Sequence, residues 1–409
     1  MKKIKVLCVP SDRTGVSFFR STKPHIHLEK NYPDEFHIDI DYEPQLDNDE
    51  WLKQYDIIHY HRTLGQYEHM EALLKRLDNL NIVSIMDLDD YWSPGPHHPA
   101  YLLIKNTGLD KLILNNIKLA KNVTTTTKLF VDEISKHNKN VYVLPNAVDA
   151  TEKQFISNPE PSNRVRIAFL GGSSHLKDLE ALKGVAGRVA SEGLLDKVQF
   201  VLCGFDLRGT MTIIDEKTGE QKQRPIQPHE SVWYEYEKIF TDNYAIVSPE
   251  YKEFLLKFKN EDYPNVTNEP YRRVWTKPIS TYASNYNLFD ISLAPIEENI
   301  FNQVKSQLKV VEAGFHKKAL IAQNFGPYQI DLKNAYQFGG GWDSAGNGIL
   351  IDTHKNHKDW AKFIIKLVKE PQLITQLSNN LYETVKNTYS LDKVTETRRN
   401  LYHKLIADK

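Results

Sequence analysis

Residues 290–323 read DISLAPIEENIFNQVKSQLKVVEAGFHKKALIAQ, and this run holds one complete strand, helix and strand. Ile291, Leu293 and Ala294 form a short apolar run that stops at Pro295, a polar loop follows, and a helix opens near Asn302. ALIAQ, at 319–323, then reads as a second buried strand. A strand, a crossover helix and a strand specify a parallel pair, because a parallel pair needs a long connection back to its starting end. Lys305, Ser306, Lys309 and Glu312 lie along the helix, and at about 3.6 residues per turn the two lysines and the glutamate share a stripe. Val304, Leu308, Val311 and Phe315 make a separate apolar stripe, so the helix can rest on a core while presenting two cations and a carboxylate. Cations and free backbone N–H groups suit phosphate, and a carboxylate suits ribose hydroxyls. Lys and Glu at this spacing also occur on ordinary solvated helix faces, so the charges alone decide nothing.

The same alternation runs outward from this unit. Upstream, VRIAFLGG (165–172) reads as a strand, DLEALKGVAGRVASEG as a helix and VQFVLCG (198–204) as a strand. The first part of the chain repeats the rhythm with KIKVLCV, FHIDIDY, YDIIHYH, NIVSIMDL, NVTTTT and VYVLP as strands separated by helical runs such as MEALLKRL and LFVDEISKH. Such alternation specifies an α/β protein with parallel sheets covered on both faces. Residues 146–164 are polar, carry Pro159 and Pro161, show no period and read as a linker. The expected organisation is a first Rossmann-like domain over 1–150, a second over 151–390, and a terminal helix over 391–409. Between about 205 and 278 the rhythm fails. The turn signal Lys217-Thr218-Gly219, five prolines from 225 to 270 and the helical run SVWYEYEKIF mark an insertion into the second domain, with no role to assign it.

A length of 409 residues fits two domains, and 40% apolar with 26% charged residues describes a globular protein. Lys plus Arg number 52 against 53 Asp plus Glu, so no global field recruits nucleic acid or a membrane. Cys8 and Cys203 lie in separate strand-like runs and read as buried reduced thiols. The first apolar run is too short for a signal peptide and no stretch approaches the ~20 apolar residues that span a bilayer. A cytoplasmic protein is expected, with peripheral contact at the inner membrane face left open.

D-x-x-L-x-P at 290–295, F-N-x-x-K-S-x-L-K-x-x-E-A-G at 301–314, the strand ALIAQ and the Gly326-Pro327-Tyr328 turn together resemble the donor site of retaining glycosyltransferases of the GT-B fold, in the broad glycosyltransferase family 4. The resemblance implies two Rossmann-like domains facing across a cleft, with C-terminal helices crossing back to the first. It implies that Glu312 holds the ribose of a nucleotide sugar. The family motif has a second glutamate eight residues earlier, where this chain has Val304. Leu170-Gly171-Gly172-Ser173-Ser174-His175-Leu176-Lys177-Asp178 follows a strand and opens a helix, so its backbone can approach phosphate. The family's phosphate stretch runs Gly-Arg and then a lysine six residues after the glycine; Lys177 matches the lysine, whereas Gly172 stands for the arginine. Lys305 or Lys309 is the candidate replacement for that cation. Ser173, His175, Asn302 and Ser306 complete the expected donor set, with His175 a candidate donor to the leaving phosphate. Gly339–Gly341 reads as a loop.

Three polar loops at strand ends in the first domain form the expected acceptor side: Ser11–Gly15 with Arg13 and Gly15, His59–Thr63 with His61 and Arg62, and Asp87–Trp92 with Asp89, Asp90 and Tyr91. The Gly15 loop resembles the family's acceptor loop, with one glycine rather than two. Asp87-Leu88-Asp89 resembles the metal motif of the other major glycosyltransferase fold, but GT-B members generally use no metal, and none is expected. Asp89 and Asp90 suit acceptor hydroxyls or a helix cap, and Tyr91 and Trp92 can stack on a sugar. His97 and His98 lack paired ligand spacing and read as loop residues. The helix over 109–120 has an apolar face ringed by Lys111, Lys118 and Lys121, which suits a core contact better than a lipid surface.

The resulting expectation is a glycosyltransferase of surface polysaccharide or glycoconjugate synthesis. It moves sugar from a UDP- or GDP-linked donor, its only co-substrate, to a glycan, lipid-linked glycan or other hydroxyl acceptor, with Lys177, Lys305, Glu312 and His61 closest to the chemistry. A non-catalytic GT-B glycan-binding or partner protein and a nucleotide-sugar epimerase remain alternatives.

Overall fold

The computed structural model describes residues 2–214, 221–243, 245–337, 339, 341–352 and 357–409. Lys217-Thr218-Gly219 and Gly340 lie outside them. In the first domain β1 (Ile4–Val9), β2 (Phe36–Ile40), β3 (Ile57–His61), β4 (Val83–Leu88), β5 (Asn122–Thr125) and β6 (Val141–Val143) form a parallel sheet in the order β2-β1-β3-β4-β5-β6. The second begins with β7 (Val165–Leu170) and β8 (Val198–Phe205), passes through an antiparallel hairpin of β9 (Thr210–Ile214) and β10 (Gln221–Pro225), and continues with β11 (Tyr271–Trp275), β12 (Ile291–Ala294), β13 (Ala319–Gln323) and β14 (Ile349–Ile351). Its parallel sheet has the order β11-β8-β7-β12-β13-β14. Both sheets are covered on both faces, which is why their strands read as continuous apolar runs: Val6, Leu7 and Cys8, and Ala319 to Ala322, are fully buried. The thiols of Cys8 and Cys203 are free and enclosed.

The expected helix from Asn302 to Phe315 is interrupted. One turn, Ile300–Gln303, is capped by Asn299, whose side chain accepts from the Asn302 amide at 2.9 Å; a second helix runs Leu308–Phe315, and 304–307 between them is not helical. Val304 therefore leaves the apolar stripe on which its spacing placed it. It is 1% exposed and packs in the core of the first domain. Ser306 accepts a bond of 3.1 Å from Asn146 Nδ2 at the head of the linker. Tertiary packing decides whether a turn of helix forms, and here it favours the break.

The segment over 205–278 is not wholly an insertion. Tyr271–Trp275 is the edge strand of the main sheet, beside β8, and the added part is the β9–β10 hairpin with the helices Val232–Thr241 and Pro249–Leu256. The charged run Tyr-Arg-Arg concealed β11, because Arg273 is buried through a bidentate pair with the equally buried Glu237, at 2.7 and 2.6 Å, and a bond of 2.9 Å to the Leu255 carbonyl. The helix Leu109–Leu119 turns Ile113 and Ile117 into the first-domain core.

The terminal helix Leu391–Ala407 crosses back to the first domain. Leu401, Tyr402 and Leu405 pack with Val6, Leu28 and Phe36, and Arg399 forks onto Glu35 at 2.7 and 2.8 Å. Among the described residues no helix is long and apolar enough to cross a membrane.

Candidate functional site

Strand order reverses beside β1 in the first sheet and beside β7 in the second, and crevices open at the carboxyl ends of strands at such points. Here both sets of ends face one cleft of about 1400 Å³. One wall carries Gly171, Gly172, Ser173 and His175 after β7, with Lys305, Ser306, Lys309 and Glu312 after β12. The opposing wall carries Arg13 and Gly15 after β1, and Asp89 and Asp90 after β4.

The glycine loop is shaped by close packing. A Cβ on Gly171 would lie 2.5 Å from the Phe169 ring, whereas one on Gly172 would meet nothing within 4 Å, so the second glycine is open to a ligand. The Tyr236 hydroxyl, from the helix Val232–Thr241, accepts from the His175 amide at 2.7 Å and donates to the Gly172 carbonyl at 3.3 Å. His175 Nδ1 lies 2.6 Å from Asp178 Oδ2, which places its proton on Nδ1 and leaves Nε2 as the free nitrogen. Burial pushes its pKa down to about 4, so the ring is neutral near pH 7. The other Asp178 oxygen accepts from the Glu297 amide at 2.6 Å and from Asn302 Nδ2 at 3.3 Å. Asp178 thus fastens the β7 loop to the β12 loop.

Lys309 donates to the Leu170 carbonyl and lies 4.7 Å over the Phe169 ring. Burial lowers its pKa to about 8. Lys305 leaves the helical break, stands 5.0 Å over the Phe301 ring, and its charge bears on His175 and Asp178 on one wall and Asp90 on the other. Glu312 is held by the hydroxyls of Tyr282 and Tyr286, the latter at 3.1 Å, and burial raises its pKa to about 6. Each carboxylate oxygen retains capacity for a further hydrogen bond.

Several sequence-derived residues stand elsewhere. Lys177 is outside the cleft wall, with Nζ on both Glu180 oxygens at 3.0 and 3.2 Å, because its helix turns it away from the loop. Asn302 is buried behind the wall, bonded to Asp178 and, at 2.9 Å, to the Glu297 carbonyl. His61 is buried behind Asp89, 2.8 Å from Ser11 Oγ and 2.9 Å from Asp89 Oδ1. Arg62 reaches Asp89 at 3.2 Å and Asp90 at 3.8 Å without lining the cleft. Tyr91 stacks on Trp92 with centroids 4.2 Å apart and Trp92 is buried against Phe130, so this pair offers no platform to a sugar in the cleft. Asp87 is consumed by Arg20, at 2.9 and 2.6 Å, and by Thr124 at 2.6 Å.

Lys277, Asn285, Tyr282, Arg20 and Trp233 line the cleft and were not singled out by sequence. Lys277 and Asn285 follow β11, and recognising YRRVW as a strand would have marked its carboxyl end. Arg20 carries no local signal, since its partners lie far along the chain.

No protein-family model and no curated protein matches the sequence. Solved structures do resemble the whole chain. HepE of Anabaena, in complex with UDP and glucose, has a TM-score of 0.59 at 12% identity over 98% of this chain and 100% of that one. A UDP-forming α,α-trehalose-phosphate synthase from Burkholderia vietnamiensis gives 0.58 at 10% identity over 100% and 98%. The catalytic domain of starch synthase IV from Arabidopsis thaliana, bound to ADP and acarbose, gives 0.58 at 10% identity over 99% and 100%. At such identities the likeness is one of architecture, and with the facing sheets and the returning terminal helix it establishes that this chain has the GT-B fold.

Proposed function

We propose that the protein is a nucleotide-sugar-dependent glycosyltransferase related to family 4. The observation that carries the reading is the facing of two unlike walls across one cleft. Gly172, Lys305, Lys309 and Glu312 stand opposite Arg13, Asp89 and Asp90. The structural neighbours that bind UDP or ADP support the same reading. The first wall suits a nucleoside diphosphate: two cations and open loop amides for phosphate, a carboxylate for ribose. The second wall suits hydroxyls of a glycan or lipid-linked glycan.

In the proposed reaction the bond from sugar C1 to the β-phosphate oxygen breaks and a bond from C1 to an acceptor oxygen forms. Charge develops on the departing diphosphate, where Lys305 and Lys309 stabilise it. The acceptor's proton passes to the leaving phosphate, on the same face, with retention and without metal. Val304, buried in the other domain, makes no sugar contact in this scheme. A second reading rests on Asp90. It lines the cleft 3.8 Å from Arg62, and burial, with the Asp89 charge beside it, raises its pKa, as suits a general base and inversion. The anomer formed, read by NMR, separates the two. Enclosed thiols suit the cytoplasm, and a role in surface polysaccharide synthesis is part of the proposal.

The deciding experiment is thermal stabilisation by UDP, GDP and ADP. A ligand at a hundredfold its Kd adds about 2.7 kcal/mol. Selective stabilisation by one nucleotide, abolished in Lys305→Ala/Lys309→Ala, is expected. No stabilisation by any of them would favour a non-catalytic glycan-binding protein instead.

A further inference from the structure

Asn285 is a buried polar side chain on the cleft wall. It sits in the helical turn Tyr282–Leu288, is 1% exposed, and its carboxamide oxygen has no hydrogen-bond partner among the described residues. Buried carbonyl oxygens are nearly always paired, and one that is not asks for a donor from outside the chain. Its neighbours say what kind. Tyr282, three residues earlier on the same turn, also lines the cleft and donates to Glu312. Ser284, next in sequence, receives Lys277 Nζ at 3.2 Å, and Lys277 lines the same wall from the carboxyl end of β11. The phosphate-directed groups, Gly172, Lys305 and Lys309, come instead from the loops after β7 and β12. Lys309 and Glu312 share one helix, and Tyr282 and Tyr286, on the same turn as Asn285, are the residues that hold Glu312, which sets Asn285 beside the ribose-directed carboxylate. A ligand with its diphosphate at β7 and its ribose at Glu312 has its nucleoside at Asn285.

We infer that Asn285 reads the nucleoside of the donor. Its side-chain oxygen accepts a hydrogen bond from a ribose O–H or a base N–H, beside Glu312 and away from the diphosphate. The inference rests on the nucleotide-sugar reading given above and deepens it. Asn285 touches no reacting atom and is a binding residue. A site built to receive a hydrogen bond discriminates against ligands that lack the donor, because its oxygen is then left buried and unpaired.

Calorimetric titration of the full chain tests this with three probes: UDP, GDP or ADP, whichever the wild type prefers; its 2′-deoxy analogue; and inorganic pyrophosphate. The variant Asn285→Ala removes the carboxamide without adding bulk, and Asn285→Leu, larger but with the same branched outline, serves if the alanine variant does not fold. The expected result is a loss of about tenfold or more for the nucleoside diphosphate with pyrophosphate affinity unchanged. A loss that disappears with the 2′-deoxy analogue assigns the bond to the ribose 2′-hydroxyl, and one that persists assigns it to the 3′-hydroxyl or the base. Equal nucleotide affinity in wild type and variant would overturn the inference and make Asn285 a group satisfied by solvent. An equal loss of pyrophosphate binding would overturn it as a general disturbance of the cleft. A wild type that binds pyrophosphate but no nucleoside diphosphate would instead remove the nucleotide-sugar reading, and this inference with it.

Discussion

Glu312 and Lys309, one turn apart on the helix Leu308–Phe315, share a buried environment that opposes both charges. Glu312 has a folded pKa of about 6 against an ordinary 4.5, so the folded state binds that proton more tightly than the unfolded chain. Its contribution to stability is full below about pH 4.5 and is lost as pH rises through 6, by about 2 kcal/mol in all. Glu312→Gln removes that dependence. The variant is expected to be the more stable protein at pH 7.5 and to differ little from wild type at pH 4.5, as read by urea denaturation at the two values. A stability difference independent of pH would show that Glu312 does not titrate in this range. Lys309 behaves in the opposite sense toward ligand. With its pKa pulled down to about 8 by burial, it is part-neutral in the free protein at pH 8, and an arriving diphosphate raises it again. Nucleoside diphosphate binding at pH 8 should therefore take up protons, and affinity should fall as pH rises further. Calorimetry in buffers of different ionisation enthalpy measures the uptake, and Lys309→Met should abolish it.

At the scale of elements, what could be read locally was read, and what depends on distant packing was not. The buried parallel strands announce themselves as apolar runs, and the loop after β7 and the helix after β12 sit on those runs, so Gly171, Lys309 and Glu312 were visible in sequence. The break at 304–307 was not, because Val304, Lys305 and Ser306 continue a helical period, and it is the distant first-domain core taking Val304 and the Asn146 amide bonding Ser306 that end it. β11 was hidden for the same reason, its Arg273 neutralised by Glu237 from a helix some thirty residues earlier. Arg20, Lys277 and Asn285 carry no period at all and are brought to the cleft by topology. The break has a further support in the turn at Gly326, whose φ is +55° and where an added Cβ would meet Gln303 Cα at 2.9 Å and its carbonyl oxygen at 3.0 Å. Gly326→Ala combines left-handed strain with that backbone clash, together worth about 1–3 kcal/mol. It should lower the Tm, shift the segment carrying Lys305 and weaken pyrophosphate binding. A variant with unaltered pyrophosphate affinity would show that the turn does not set the position of Lys305.

Across the whole molecule the two domains exchange apolar side chains. Val304 of the second is buried in the core of the first, and Phe19 of the first is buried in the core of the second, edge-on to Tyr282 at 6.5 Å. Between them runs a buried polar chain in which Asp87 holds Arg20, Arg20 Nη1 reaches Asn146 Oδ1 at 3.1 Å, and Asn146 Nδ2 reaches Ser306. The residue between Val304 and Ser306 is Lys305, so the contacts that hold the domains together also hold the cation that faces both walls. Replacement of Val304 by the glutamate that the family motif carries is therefore not a restoration here. Val304→Glu would place a carboxylate among the apolar side chains of the first-domain core, a penalty of roughly 3–5 kcal/mol if the domains stayed closed. Separation of the domains relieves that penalty by returning the carboxylate to water. The expected outcome is a larger radius of gyration by small-angle X-ray scattering, with each domain still folded and nucleotide binding by the second domain retained though weakened. Val304→Leu, apolar but larger, should leave the radius unchanged. An unchanged radius in Val304→Glu, with full nucleotide affinity, would show that the glutamate reaches the cleft and that the exchange of apolar side chains does not govern closure.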